Sequence, residues 1–278
     1  MTATITEATT SRFAQAGSVR IHYNEVGTGE PVICLHGAGP GASSWSNFSG
    51  NVEAFAQRHR VLLVDMPQYG KSDKIAIPGP RLSAIAPILR DFMDAVGIER
   101  AHFVGNSMGG QVALKFTLDH PERVGRVVAI GSTPVAYSVF SPFPAEAVKL
   151  IGSYYGGSGP SIEKMRTLLR TFVYDPSLVT DALVTERYQV SIDPELIRVN
   201  AGPRPEREDL TADLPRIAAP TLLMWGLDDR AGPLDVGILM TRAMPNAEMH
   251  IFNHCGHWAQ VEHRDEFNEI VLAFLARR

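Results

Sequence analysis

Ala101-His102-Phe103-Val104-Gly105-Asn106-Ser107-Met108-Gly109 reads as a short apolar strand, a G-x-S-x-G turn, and a helix that starts near Met108. A serine in that setting sits on a sharp strand-to-helix bend with its hydroxyl pushed out above a sheet. The flanking glycines suit the bend, because a larger side chain would collide with the folded-back backbone. The pattern points to a nucleophilic serine, although glycine and serine are common enough for an ordinary turn serine to imitate it. Its meaning depends on whether an acid, a histidine and an oxyanion site accompany it.

Outward from the bend, apolar strands alternate with helical stretches. Pro31–Leu35, Arg60–Asp65, Arg126–Gly131, Pro220–Trp225 and Ala247–Phe252 read as strands. Arg81–Val96, Gln111–Leu118 and about Asp265–Arg277 carry helical periodicity. Phe13–Val26, with Gly17-Ser18 between two alternating runs, reads as a β-hairpin. This alternation predicts an α/β fold: a mostly parallel sheet of about eight strands, covered by helices on both faces, with the hairpin at an antiparallel edge. The stretch from about Thr133 to Arg216 interrupts it, first with Pro, Gly and Tyr, then with helical segments at Ser161–Val173 and Ser177–Gln189. We read residues 1–135 as the first part of a core domain, 136–212 as an inserted helical lid, and 213–278 as the rest of the core. The segment after Gly41 reads as a loop.

The 278 residues carry 26 basic and 30 acidic side chains, a net charge of -4, with no concentrated basic face. Nucleic-acid binding therefore has no electrostatic support. No apolar run approaches the roughly 18 residues a membrane span needs. The first eleven residues lack the basic and apolar regions of a signal peptide. Cys34 and Cys255 lie in or beside apolar runs and read as buried free thiols. A cytoplasmic protein is the expectation.

Two further motifs follow strands. Trp225-Gly226-Leu227-Asp228-Asp229-Arg230 places two acids at a strand's carboxyl end, where open α/β sheets bind ligands. Asp228 and Asp229 compete there for the role of triad acid, the alternative being that both are solvated loop carboxylates. His254-Cys255-Gly256-His257-Trp258 follows the last strand, so chain order is Ser, Asp, His. His257 suits the catalytic base and His254 is its competitor. His250, His254, Cys255 and His257 also cluster, but without an ordinary zinc spacing, and no metal is expected. Finally, Leu35-His36-Gly37-Ala38-Gly39-Pro40-Gly41 offers backbone N–H groups for an oxyanion, one from Ala38 and the other from Met108. The same glycines match a dinucleotide fingerprint, but the next strand-end acid, Asp65, comes too late for that role.

These motifs together resemble the meta-cleavage product hydrolases, α/β-hydrolases that break a carbon–carbon bond in bacterial degradation of aromatic compounds. The resemblance rests on His36–Ala42, Trp45-Ser46-Asn47, Gly105–Gly110, Trp225–Arg230, Tyr174–Leu178 and Cys255–Trp258. It implies a 2-hydroxy-6-oxohexa-2,4-dienoate substrate cleaved without a cofactor, by Ser107, Asp229 and His257. It also implies that Arg187 binds the substrate's carboxylate end; by itself Arg187 reads as an exposed helix arginine. Asn106 and Asn47 match residues that contact the dienoate, and Trp258 matches an aromatic beside the histidine. Gly37 and Phe172 are expected in the same pocket. Ala38 replaces a glycine of some relatives, a change that a backbone donor tolerates. Ala231-Gly232 stands where some relatives carry bulky apolar residues, so Gly232 is expected to line a roomier pocket for the C6 substituent, with Phe172, Phe140 and residues near Tyr137 closing part of it. The family also implies a homo-oligomer.

Overall fold

A computed structural model describes residues 4–77, 79–135, 137–142 and 144–277. Its strands are β1 (Ser11–Ala16), β2 (Val19–Val26), β3 (Glu30–Leu35), β4 (His59–Val64), β5 (Ala101–Asn106), β6 (Val124–Ile130), β7 (Thr221–Gly226) and β8 (Ala247–Phe252). They form one sheet in the order β1-β2-β4-β3-β5-β6-β7-β8. β1 and β2 pair antiparallel, as do β2 and β4; every later pairing is parallel. The hairpin turns at Gly17, whose φ of 58° is left-handed.

The helices are α1 (Glu7–Thr10), α2 (Ser44–Phe48), α3 (Val52–Ala56), α4 (Arg81–Ala95), α5 (Met108–Asp119), α6 (Glu146–Ser153), α7 (Ile162–Phe172), α8 (Asp181–Ser191), α9 (Pro194–Asn200), α10 (Leu234–Ala243), α11 (Ala259–Glu262) and α12 (Arg264–Leu275). β5 and β7 are buried along their whole length, so both their faces are covered. That is why these strands read as continuous apolar runs rather than alternating ones. One core lies between the sheet and α4, α5 and α10, around Phe92, Phe103, Phe116 and Trp225; a second, with Phe55, Phe267 and Phe274, lies under α3 and α12. A third cluster holds α6–α8 together and reaches Ala231 and Trp258 of the sheet's carboxyl end.

Two readings change. The segment after Gly41 holds the short helix α2, not a plain loop. Ser43 caps it: its hydroxyl accepts the Ser46 N–H at 3.0 Å, and Ser46 Oγ accepts the Ser43 N–H at 3.1 Å. This is a capping box closed by serine where glutamate is the usual signal. The helix expected over Ser177–Gln189 starts later than Ser177. Pro176–Leu178 forms a separate 3-10 turn, and α8 begins after Thr180, whose hydroxyl accepts the Leu183 N–H at 3.2 Å. No helix among the described residues is long and apolar enough to cross a membrane.

Candidate active site

Ser107 links β5 to α5 with φ 52° and ψ −116°, a conformation that an L-residue rarely adopts. Such strain costs on the order of 1–3 kcal/mol and persists only where neighbours over-determine it. Here they do. The Ser107 N–H donates to the Ile130 carbonyl at 2.7 Å, and the Ser107 carbonyl accepts from Ser132 Oγ at 2.9 Å and the Gln111 N–H at 3.1 Å. A Cβ at Gly105 would overlap the backbone of Gly109 and Gly110, and one at Gly109 would overlap the Leu35 carbonyl. The bend therefore needs its glycines for close packing, as the sequence implies. Ser107 Oγ has no hydrogen-bond partner among the described residues and opens on a cavity of about 510 Å³.

His257 lies in the loop after β8, and its Nδ1 stands 2.8 Å from Asp229 Oδ2. A carboxylate oxygen accepts, so Nδ1 carries the proton and Nε2 is left for the cavity, which His257 lines. Asp229 Oδ1 accepts the Ala231 and Gly232 N–H groups at 2.7 and 2.8 Å. Both side chains of the pair are buried. The competition between the acids resolves sterically. Asp228 is exposed, whereas Asp229 faces His257 over Gly131, where a Cβ would come within 2.8 Å of both side chains. His254 is exposed and stacks near Tyr174, His250 approaches Glu266, and Cys255 is buried.

Arg187 is 2% exposed, although it is on a helix of the inserted segment. It lines the cavity beside Ser107 and His257. Its Nη1 donates to Ser46 Oγ at 3.2 Å, its guanidinium carbon lies 5.9 Å from the Trp258 ring centre, and its Nε has no partner. No carboxylate pairs with it among the described residues. Burial pushes it down to about 10, because a charge out of water is disfavoured. A Cβ at Gly41 would overlap the Arg187 carbonyl, and one at Gly39 would stand 2.9 Å from Nη2, so these glycines admit the arginine.

The cavity also takes in Gly37, Ala38, Asn47, Asn106, Phe172 and Trp258. Asn106 Nδ2 donates to the His257 carbonyl at 3.2 Å, while its Oδ1 is buried and unpartnered. Asn47 Oδ1 accepts the Gly37 N–H at 3.2 Å. Met108 opens α5, so its N–H lies in the first turn, where helices lack internal acceptors. The Phe172 ring stacks on His257 at 5.5 Å and lies 5.1 Å from Trp258, and its carbonyl accepts the His257 N–H at 2.7 Å.

Gly232 is placed otherwise than expected. It does not line the cavity; Ala231 does. Its N–H holds Asp229 and its carbonyl accepts from Trp225 Nε1 at 2.7 Å. A Cβ there would overlap the Gly131 carbonyl, so its lack of a side chain admits backbone, not substrate. Phe140 is 87% exposed and also stands off the cavity, whose outer part is formed instead by residues such as Val148, Ile151, Tyr155 and Val199. Sequence reasoning missed Gly131, whose need shows only when Asp229 and His257 meet above it. It also missed Glu262, whose Oε1 accepts the Gly256 N–H at 2.8 Å and Oε2 the Tyr174 N–H at 2.6 Å.

Residues 30–264 match the alpha/beta hydrolase fold family. The chain is 44% identical to the 2-hydroxy-6-oxononadienedioate/2-hydroxy-6-oxononatrienedioate hydrolase of Paraburkholderia phymatum, over 99% of each chain. It is 42% identical to the 2-hydroxy-6-oxo-6-phenylhexa-2,4-dienoate hydrolase of Burkholderia cepacia, over 98% of each. The meta-cleavage product hydrolase of Pseudomonas fluorescens IP01, solved with acetates, superposes with a TM-score of 0.86 at 34% identity, covering 95% of this chain and 96% of that one. With the fold, the strained serine and this coverage in agreement, the chain belongs to the α/β-hydrolase fold family and, within it, to the meta-cleavage product hydrolases.

Proposed function

We propose that this protein hydrolyses the C5–C6 bond of a 2-hydroxy-6-oxohexa-2,4-dienoate, giving 2-hydroxypenta-2,4-dienoate and a carboxylic acid. The observation that carries this reading is Arg187. A buried guanidinium without an acid partner, in the same cavity as Ser107 and His257, calls for an anionic ligand. An ordinary ester would make no use of it.

In this reading Arg187 holds the substrate's carboxylate end, and the free Oδ1 of Asn106 accepts from its 2-hydroxyl. That directs the C6 carbonyl to Ser107. His257, with Nδ1 fixed by Asp229, moves protons at Nε2. The dienol first becomes its keto form by protonation at C5. Attack then converts the C6 carbonyl into a tetrahedral oxyanion facing the N–H groups of Ala38 and Met108. The N-terminus of α5 adds its positive dipole end to that seat. When C5–C6 breaks, the electron pair passes into the dienoate's own carbonyl. Water supplies the acid's hydroxyl and the proton gained by the dienoate fragment. None of these steps requires a cofactor.

Residues 136–212 serve as a lid in this reading, since Arg187 and Phe172 come from that segment while Ser107, Asp229 and His257 follow β5, β7 and β8 of the sheet. The protein is expected to self-associate and to work in the cytoplasm, which size-exclusion chromatography and fractionation would test. The deciding assay compares loss of the absorbance of C6-substituted dienoates with hydrolysis of a p-nitrophenyl ester. Preference for dienoates supports the reading; efficient ester turnover with every dienoate left intact removes it.

A further inference from the structure

Among the described residues, the loop after β3 leaves several backbone donors without a partner, the N–H groups of Ala38, Gly39 and Gly41 among them. The Gly37 N–H donates to Asn47 Oδ1 at 3.2 Å. The Gly37 carbonyl accepts from His36 Nδ1 at 2.8 Å, and the Ala38 carbonyl accepts from the Tyr69 hydroxyl at 3.2 Å. The Ala38 N–H has no partner among the described residues, and Ala38 lines the cavity beside Ser107. Ala38 is partly buried, so its N–H stays open to an acceptor that arrives in the cavity.

The donors around it are fixed by chemistry. The Met66 N–H donates to His36 Nε2 at 3.0 Å, so that nitrogen presents a lone pair and the ring proton lies on Nδ1, toward Gly37. Burial pushes His36 down to about 4, which keeps the ring neutral and this tautomer in place around pH 7. The Gly37 carbonyl and the Ala38 N–H are opposite ends of one planar peptide, so pinning the oxygen sets the direction of the hydrogen. A hydrogen bond to that carbonyl also polarises the N–H and makes it a better donor. Tyr69 pins the next peptide, and its ring lies 4.8 Å from that of His36, so the two side chains act on the loop as one unit.

We propose that His36 and Tyr69 are positioning residues that clamp the Ala38 peptide, holding its N–H toward the oxygen that becomes charged at the substrate's C6. This rests on the reading of Ala38 as an oxyanion donor. Neither side chain lines the cavity, so each acts through the loop and not on the substrate.

The test uses Tyr69→Phe, which keeps the ring and loses the hydroxyl, and His36→Phe, which removes the donor to Gly37. Three constants are read: kcat and KM on a dienoate, and the inhibition constant of an alkylboronic acid. Ser107 Oγ, its proton passed to His257, bonds to boron and gives a tetrahedral boronate anion with one hydroxyl oxygen in the oxyanion seat. Tyr69→Phe should lower kcat about 5-fold, leave KM unchanged and weaken boronate binding by a similar factor. His36→Phe should do the same by about 50-fold. A folded Tyr69→Phe protein with wild-type kcat and boronate affinity overturns the proposal, even if its melting temperature falls, and so does wild-type protein that binds no boronate. If the wild type binds boronate but leaves every dienoate intact, the boronate arm still decides the clamp, and only the substrate reading is lost.

Discussion

Ser11, His22 and Asp65, at the hairpin edge of the sheet, repeat the residue types of Ser107, His257 and Asp229. Ser11 Oγ lies 2.8 Å from His22 Nε2, and His22 Nδ1 lies 2.8 Å from Asp65 Oδ2. The buried histidine–aspartate distance is the same in both places. What differs is the surroundings. Ser11 sits on a regular strand, paired with Asn24, and lines no part of the cavity around Ser107. Asp65 also accepts the N–H groups of Ser44 and Lys71 at 2.8 and 3.0 Å, and the His22 N–H is taken by Ser72 Oγ at 2.8 Å. Although burial opposes it, these bonds, the one from His22 foremost, hold the Asp65 carboxyl below its usual range. Every polar group there is answered within the protein, so the network ties the hairpin to the turn after β4. Around Ser107 the reverse holds: the serine is strained, and Ser107 Oγ, His257 Nε2, the Ala38 N–H and Arg187 Nε are left open together. A serine–histidine–aspartate chain becomes a site through the unanswered groups beside it.

The largest effect that can break this comparison is on turnover. Ser107→Ala should cut kcat at least about 10³-fold, while Ser11→Ala leaves it within about 2-fold. A comparable loss from Ser11→Ala, measured by dienoate decay, would mean that the two chains are not functionally distinct.

Acid should act on stability through His36, which lies close to Asp65. Its folded value of about 4 lies below the ordinary 6.5, so the unfolded chain binds the proton first. Stability is therefore full above about pH 6.5 and declines as pH falls toward 4, by on the order of 3 kcal/mol. Urea denaturation at a series of pH values checks this, and a flat profile over that window contradicts it.

Arg187→Met sharpens the contrast between answered and unanswered groups. KM for the dienoate should rise about 50-fold, because a buried charge partner is lost. The unliganded protein should be no less stable, since an unpaired buried charge gives way to an apolar chain of similar length. A large fall in melting temperature would show that the guanidinium serves the fold. The smallest effect belongs to the hairpin. Ser11→Ala should cost about 1 kcal/mol in urea unfolding, the worth of one hydrogen bond.

The parts of this molecule legible in the sequence are those set by local pattern. Each buried strand, the glycine-flanked turn at Ser107 and each of the three motifs lie within a dozen residues, and the order of the motifs follows directly from the chain. The choice between Asp228 and Asp229 lies between segments, because it depends on Gly131 leaving room beneath the pair. Arg187 was nameable only by resemblance. Its helix shows little separation of polar and apolar faces, and its burial arises from docking over Gly39 and Gly41, nearly 150 residues earlier in the chain. Gly232 misled for a related reason: a missing side chain can admit backbone as readily as ligand, and sequence does not say which. His36 and Tyr69 gave no signal of this role, since their partners are backbone groups.

The seat of the histidine loop has a consequence for modularity. The Phe172 carbonyl receives the His257 N–H, and Glu262 bridges Gly256 to Tyr174. The inserted helices and the last loop of the sheet are thus one mechanical part divided between distant stretches of chain. A chimera that imports another relative's helices between β6 and β7 would need to import residues 254–262 with them. Exchanging the cover alone would change the fit of the substrate and loosen the base at the same time.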